Sequence, residues 1–344
     1  MHHSIRNTRV GIALLAIPLL IGATACGSGS STDDDSATSL PVVKMDGVVP
    51  DPFGVTALFV KNEKLDEKHG FDFEYTEGDP SGGTTPFLRG DVQLGPGDAV
   101  SAAIANDEGH DTVAYYPLMS QTASVVASKA SGITEPEDLR GKRVGHFGND
   151  SGTTQALTLT LKDCCDIDVQ KDLTLVQSSP EALPALLQKG EVDAIFDFEP
   201  FGDRAVQMTD GTRVLEVTKY WKDKSGWAPP LAMLWSNVDW LTENPDLAHN
   251  VVAAFSEAMQ SMVDANYETF KEEPYKSFLD AESDAELDRL VTYCQSLPCY
   301  TNSWTDEDAT HMNDWIKMMV ADGMLPAYPD NPPSATLESV LTNR

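Results

Sequence analysis

Basic residues are scarce in this sequence: 24 lysines and arginines stand against 54 aspartates and glutamates, and the formal net charge is −30. Proteins that bind nucleic acid need a basic surface to displace counterions from phosphates, so this charge excludes nucleic acid as a partner. Common catalytic signatures are also missing. The chain has no P-loop and no G-x-S-x-G, and Gly95-Pro96-Gly97 lacks the third glycine of a dinucleotide fingerprint.

Candidate metal ligands are equally sparse. The seven histidines never occur four residues apart, and no pair of cysteines has the spacing of a zinc site. Because no nucleophile–base pair can be assembled from the sequence, we predict that the protein is not an enzyme. We also expect no metal and no cofactor.

The N-terminal apolar run, Val10 to Ile21, is shorter than the about 18 residues of a membrane-spanning helix. It follows Arg6 and Arg9 and leads into small residues, which is the pattern of a secretory signal. The ending Ala23-Thr24-Ala25-Cys26 resembles a lipobox in which Ala23 replaces the usual leucine. We therefore predict a lipoprotein signal peptide over residues 1–25 and lipidation of Cys26. An ordinary signal peptide with an incidental Cys26 is the alternative.

Residues 26–40 are rich in glycine, serine and aspartate and cannot bury a core, so they are predicted to form a flexible linker. Two acyl chains on Cys26 would anchor the exported protein stably to the outer face of the cell membrane.

Four further cysteines allow three pairings in an exported protein. We favour a disulfide between Cys294 and Cys299, which enclose a short loop containing Pro298. Cys164 and Cys165 would then form a vicinal pair or remain two free thiols.

From residue 41 onward, short β-branched runs alternate with helical stretches, which predicts an α/β fold with helices on both faces of its sheets. The same order occurs twice, at Phe87–Val92 and at Leu187–Val192: the end of a helix, a glycine, an acidic residue, and a valine that begins a strand. This repeat indicates two lobes of similar build. The final hundred residues differ, because they read as helices only.

Two segments resemble the nitrate/sulfonate/taurine/thiamine-pyrimidine branch of the type II periplasmic binding proteins. Residues 132–145 follow that branch's Gly-Ile, Asp-Leu, Gly-Lys, Val order, and residues 187–200 follow its Gly-x-Val-Asp-Ala and Glu-Pro order. The resemblance implies a two-lobed fold with parallel-type sheets flanked by helices and extra C-terminal helices. Lobe 1 would comprise residues 41–117 and 242–344, and lobe 2 residues 118–241.

The resemblance also implies a function. The protein would be a monomeric solute-binding subunit of an ABC importer, and its partners would be a small-molecule ligand and the permease and ATPase subunits. An enzyme of the thiamine-pyrimidine synthesis type on the same fold is one alternative, which would need a reactive cysteine or histidine in the cleft. A sensory lipoprotein without a transport role is another.

In open α/β sheets, ligands bind beyond the carboxyl ends of the strands. The residues there form the candidate ligand site: Asp51, Phe53, Ser81, Asp98, Gln121, Asn149, Ser151, Thr153, Asp197, Phe198, Glu199 and Trp227. Simpler roles compete with ligand binding. The role of Asp98 and Ser151 could be limited to capping helices, and that of the aromatic residues to packing in the core.

The candidate site gives two opposing indications about its ligand. The helix that begins near Ser151 would attract an oxyanion at its N-terminus. Asp51, Asp98, Asp197 and Glu199 instead favour a cationic or donor-rich solute. We therefore expect a nitrogen heterocycle of the thiamine-pyrimidine type rather than a sulfonate.

Overall fold

The computed structural model describes residues 39–48, 50–77, 84–149 and 151–343. The predicted signal peptide, Cys26, most of the linker and Ser81 lie outside these residues. Within the described part of the chain, no helix has the length and apolar character needed to cross a membrane.

The strands of the described residues form a five-stranded sheet, and a two-stranded and a three-stranded sheet that a single bridge joins. Their bounds are β1 Val42–Val48, β2 Asp72–Glu77, β3 Gly95–Gly97, β4 Thr112–Ser120, β5 Ser124–Ala127, β6 Arg143–His146, β7 Thr174–Gln177, β8 Ala194–Asp197, β9 Thr212–Glu216 and β10 Pro230–Asn237.

Helices separate most of these strands and then occupy the C-terminal third of the chain. Their bounds are α1 Pro52–Asn62, α2 Leu65–Lys68, α3 Thr84–Leu88, α4 Ala99–Asp107, α5 Gly152–Cys165, α6 Val169–Asp172, α7 Leu183–Gln188, α8 Phe201–Thr209, α9 Val217–Ser225, α10 Val238–Glu243, α11 Pro245–Asp264, α12 Tyr275–Phe278, α13 Asp284–Ser296, α14 Asp306–Ala321 and α15 Leu337–Asn343.

We call the joined pair the first sheet; it combines β1-β2 with β3-β10-β4, in the order β2-β1-β3-β10-β4. Strands β1 and β2 pair in parallel, and a parallel bridge from Met45 to Leu94 joins β1 to the start of β3. Strand β10 runs antiparallel between β3 and β4. The other four strands therefore share one direction, and their carboxyl ends meet at one edge of the sheet.

The second sheet has the order β7-β6-β8-β5-β9. Strand β6 is parallel to β7 and β8, whereas β5 is antiparallel to both β8 and β9. The carboxyl ends of β6, β7, β8 and β9 consequently lie at one edge, together with the first residue of β5.

Apolar side chains bury the faces of both sheets. The first sheet packs on α1 and α11, where Phe73 meets Phe255 edge to face. One face of the second sheet, including Val125, packs on α5 and on Trp315 of α14, and the other face, including Ile195, packs on α7 and α8. Burying one such large side chain contributes about 1.5–3 kcal/mol.

The architecture agrees with the α/β prediction of helix-flanked sheets and C-terminal helices. It differs in that each sheet contains an antiparallel strand. Strand β10 was also expected in lobe 2, but it hydrogen-bonds to β3 and β4 of the first sheet. The alternation of apolar residues reveals a strand but not the sheet that it joins, so this placement could not be deduced from sequence. The division into two lobes stays a prediction.

Both cysteine pairs are bonded in the structure. Cys294 and Cys299 form the favoured disulfide at the end of α13, and both are fully buried. Cys164 and Cys165 form a vicinal disulfide at the end of α5, which was one of the two alternatives for these residues.

Replacing Cys294 and Cys299 together by serine should lower the free energy of unfolding by about 2 kcal/mol, because a short closed loop constrains the unfolded chain modestly. Urea unfolding measures this loss. The Cys164→Ser, Cys165→Ser variant is the control, and peptide mapping without reductant should still find Cys294 linked to Cys299 in it. A peptide that joins either of these residues to Cys164 or Cys165 in the wild-type protein contradicts the pairing.

Candidate functional site

Polar residues gather where the parallel strands of both sheets end. On the first sheet, Asp51 follows β1, Asp98 follows β3 and Gln121 follows β4; we call these three residues the first edge. On the second sheet, His146 ends β6, Asp197 ends β8 and Ser124 begins the antiparallel β5; these form the second edge. All six side chains are more than nine-tenths buried.

The first edge touches the start of α5 at Asp98 and Gly152. Gly152 is the first residue of α5, the helix that follows β6. A Cβ atom placed on Gly152 would lie only 2.4 Å from Asp98 Oδ2, far inside van der Waals contact. The carboxyl group of the first edge therefore rests against the N-terminal end of a helix from the second sheet.

Asp98 is also the N-cap of α4, as the simpler interpretation of the sequence held. Its Oδ1 accepts hydrogen bonds from Val100 N, at 3.0 Å, and from Ser101 N, at 2.9 Å. Burial raises the pKa of Asp98, and these hydrogen bonds oppose the shift. One oxygen of the carboxyl group caps its own helix while the other faces α5.

Asp51 caps α1 in the same manner, and its Oδ1 accepts a hydrogen bond of 2.8 Å from Gly54 N. Burial raises the pKa of this carboxyl to about 7. The nearby Tyr300 hydroxyl donates to Pro52 O at 2.7 Å. Asp51 is thus a buried acid that titrates near neutral pH.

Asp197 is the acid of the second edge. It lies directly opposite Ser124 in the antiparallel β5–β8 pair, so both side chains project from the same face of the sheet. Asp197 Oδ1 accepts a hydrogen bond from Phe198 N at 3.0 Å. Among the described residues, neither Asp197 Oδ2 nor Ser124 Oγ has a hydrogen-bonding partner. Burial raises the pKa of Asp197 well above its usual value.

Glu199, two residues further on, is fully satisfied within the protein. Arg213 of β9 donates to Glu199 Oε1 at 2.6 Å, and Asp203 N donates to Oε2 at 3.0 Å. Burial raises the pKa of Glu199, while the charge of Arg213 opposes this shift. The structure thus uses Glu199 in an ion pair beside α8, which matches a structural role better than a ligand contact.

The other polar candidates support the turns around the two edges. Ser151 caps α5 by accepting from Thr154 N, and Gln121 accepts from Ala123 N. Thr153 is buried in the first turn of α5. Asn149 is exposed and lines a separate groove of about 450 Å³ between α5, α6 and residues 322–324.

The three aromatic candidates lie apart from one another. Phe53 belongs to the core of the first sheet, and Phe198 packs edge to face against Phe147 and Phe201. Trp227 is partly buried and packs beside His311. Their place in the candidate ligand site stays a prediction.

Sequence analysis missed Ser124, His146 and Arg213 as residues of this region. Ser124 starts a strand that was not recognised, and Arg213 reaches Glu199 from the neighbouring strand β9. His146 could have been found, because it ends strand β6, and strand ends are where ligand sites of open sheets lie. Its ring accepts from Gly148 N at 3.3 Å, and burial lowers its pKa.

A family model described as NMT1/THI5 like matches residues 67–268, more than half of the sequence. The chain belongs to the NMT1/THI5-like family. This match and the fold confirm the family resemblance of residues 132–145 and 187–200. No curated protein matches the sequence.

Solved structures of binding proteins share the fold of this NMT1/THI5-like protein. The alkanesulfonate-binding protein SsuA of Xanthomonas axonopodis pv. citri, solved with MOPS, is 14% identical with a TM-score of 0.69, covering 87% of this chain and all of that chain. The periplasmic nitrate-binding protein NrtA of Synechocystis PCC 6803 is 12% identical with a TM-score of 0.64, covering 85% of this chain and 84% of that chain.

An enzyme has the same fold. The desulfurization enzyme DSZB is 15% identical with a TM-score of 0.56, and the alignment covers 88% of this chain and 99% of that chain. At these identities the shared property is the fold, which is confirmed as that of periplasmic binding proteins.

The change Asp51→Asn should flatten the pH dependence of stability. Since the pKa of Asp51 rises from 3.8 to about 7 on folding, the folded protein binds this proton more tightly than the unfolded chain. The stability that this tighter proton binding contributes is fully present below the pKa of Asp51 in the unfolded chain. It is lost as the pH rises through the pKa of Asp51 in the folded protein. Asparagine retains the N-cap but cannot titrate.

Urea unfolding of the wild type and of Asp51→Asn measures this effect between pH 4.5 and 8, a range that contains the pKa of about 7 that Asp51 has in the folded protein. As the pH rises across that range, the free energy of unfolding of the wild type should fall by about 1–3 kcal/mol relative to that of the variant. A difference in stability that stays constant with pH would show that Asp51 does not titrate there.

Proposed function

We propose that the protein is the extracytoplasmic, lipid-anchored solute-binding subunit of an ABC importer. It captures a small organic solute between the first and second edges and delivers it to a permease. The observation that carries this proposal is the contact of Asp98 with Gly152, which joins the strand ends of the two sheets where buried polar groups gather. The similarity to the sulfonate- and nitrate-binding proteins supports it.

A solute with hydrogen-bond donors suits this site better than an oxyanion. Asp51, Asp98 and Asp197 are buried at the two edges, and Asp197 Oδ2 accepts no hydrogen bond from the described residues. An unsatisfied buried acceptor costs about 1–3 kcal/mol, which a donor on the solute recovers. A sulfonate would add negative charge to the same space. We therefore favour a nitrogen heterocycle of the thiamine-pyrimidine type.

Binding between two lobes suits the delivery step. A solute that contacts both edges favours the conformation in which the edges are close, and so it shifts an open–closed equilibrium. The closed surface is then the form that a permease distinguishes from the empty protein.

A binding role accounts for the described residues better than an enzymatic one. The four cysteines that the structure describes are all held in disulfides, so none of them offers a thiolate nucleophile. His146 is packed at the second edge and its pKa is lowered by burial, which favours the neutral ring. A sensory lipoprotein would bind the same solute, and transport assays with the permease separate it from an importer.

Asp197→Asn should weaken solute binding by about 1–3 kcal/mol, because exchanging one carboxyl oxygen for an NH₂ group leaves a buried donor of the solute without its acceptor. A thermal-shift screen over pyrimidines, amines, flavins, nitrate and alkanesulfonates first identifies the solute. A solute at 100 times its dissociation constant stabilises the wild type by about 2.7 kcal/mol. Calorimetric titration then compares the variant with the wild type.

Glu199→Gln is the matched control, because it neutralises an acid two residues away that is bound by Arg213. It should lower the free energy of unfolding by about 2 kcal/mol, since it weakens a buried ion pair, and it should leave solute affinity nearly unchanged. Tight binding of nitrate or a simple sulfonate, undisturbed by Asp197→Asn, would contradict the proposed solute class.

Cys26→Ala should release the protein from the membrane, because the predicted thioether-linked acyl chains cannot form without the thiol. Membrane and soluble fractions, with metabolic labelling by a palmitate analogue, measure the change. Cys294→Ala is the control and should remain labelled. Continued acylation of Cys26→Ala would show that another residue anchors the protein.

A further inference from the structure

The two carboxyl oxygens of Asp98 make different contacts. Oδ1 accepts the capping hydrogen bonds from Val100 N and Ser101 N, and also lies 3.2 Å from the Ser101 hydroxyl. Oδ2 points across to Gly152 at the start of α5. A serine would be an equally good N-cap for α4, so capping alone does not require a carboxyl group that reaches the other sheet.

Gly152 leaves room for this contact. Its backbone does not have the positive φ that favours glycine, because the positive-φ glycines of the described chain do not include it. The reason for glycine is therefore space: any Cβ here would collide with Asp98 Oδ2 at 2.4 Å. The pair Asp98–Gly152 forms a fitted contact between the first edge and α5, the helix that follows β6.

The position that Asp98 faces is the one where an anion would otherwise bind. Helix α5 has 14 residues, and the first N–H groups of a helix have no partners within it. These groups and the helix dipole attract oxyanions. In this protein, Ser151 Oγ accepts from Thr154 N, and the Asp98 carboxyl group stands in front of Gly152.

We propose that Asp98 determines solute specificity by acting as an internal counter-ion at the N-terminal end of α5. It excludes oxyanionic solutes from that end by its volume and by its charge, and leaves the space between the edges to solutes without an anionic group. The inference rests on the proposed function, since it assumes that solutes bind between the first and second edges.

Binding of methanesulfonate tests this role. Calorimetric titrations at pH 8 compare the wild type with Asp98→Ser, which keeps the N-cap but removes both the charge and the reach of the carboxyl group. Methanesulfonate should bind at least about tenfold more tightly to Asp98→Ser than to the wild type. A tenfold gain corresponds to about 1.4 kcal/mol, because the Asp98 carboxyl group no longer competes with the sulfonate for the N-terminal end of α5. Asp98→Asn, which removes the charge and keeps the volume, should gain less.

Asp168→Ser is the matched control. Asp168 also caps a helix, α6, and accepts from Lys171 N, so the substitution changes the same residue type, the same capping role and the same net charge. It should not gain affinity for methanesulfonate. An equal gain in Asp168→Ser would show that only net charge matters and would overturn the proposal.

The contact itself is tested by Gly152→Ala. This change should lower the melting temperature of the wild type, because the new methyl group meets Asp98, but it should cost little in the Asp98→Ser background. Equal losses in both backgrounds would show that Asp98 and Gly152 do not touch.

These titrations distinguish a failure of the role of Asp98 from a failure of the proposed function. A folded Asp98→Ser protein without any gain for methanesulfonate overturns the role of Asp98, even where the wild type binds a heterocycle. A wild type that binds methanesulfonate as tightly as the variant also overturns it. A gain in the variant, combined with a wild type that binds no solute of the screen, supports the role of Asp98 and contradicts the proposed solute class.

Discussion

The burial of carboxyl groups between the ends of two sheets is the constraint on which this site depends. Parallel strands joined by helices place every strand end and the following helix start at one edge, so acids and helix N–H groups meet there. Asp51 and Asp98 use this geometry directly, because each accepts backbone hydrogen bonds from the helix that it precedes. The topology thus stabilises buried acids without requiring a basic residue beside each of them.

Asp197 and Glu199 show two different solutions at the end of one strand. Glu199 turns away from the edge toward Arg213 and the start of α8, where a charge and a backbone N–H satisfy it. Asp197 stays on the sheet face opposite Ser124, and one of its oxygens accepts no hydrogen bond from the described residues. Residues two apart in sequence therefore differ in their bonding: Glu199 is held by an ion pair, while Asp197 is buried with one oxygen that has no partner among the described residues.

The sequence predicted those features that depend on local physics. The helical character of the final hundred residues was predicted, and capping of a helix was considered as a role of Asp98. Features that depend on distant partners were not predictable. The pairing of Glu199 with Arg213, the place of β10 in the first sheet and the meeting of Asp98 with Gly152 all join segments whose proximity no local pattern records.

The C-terminal helices connect the elements that carry the two edges. Trp315 of α14 lies in a core that contains both Val100 of α4 and Val125 of the second sheet, so this helix packs on elements of both sheets. On α8, Arg204 pairs with Glu286 of α13 at 2.9 Å, and Asp203 pairs with Arg289 at 2.6 Å. Truncating one partner of a buried pair is costly because it leaves the other charge without compensation. These charges therefore couple α8, which follows the second edge, to a helix outside the second sheet, and any separation of the two edges must strain or rearrange them.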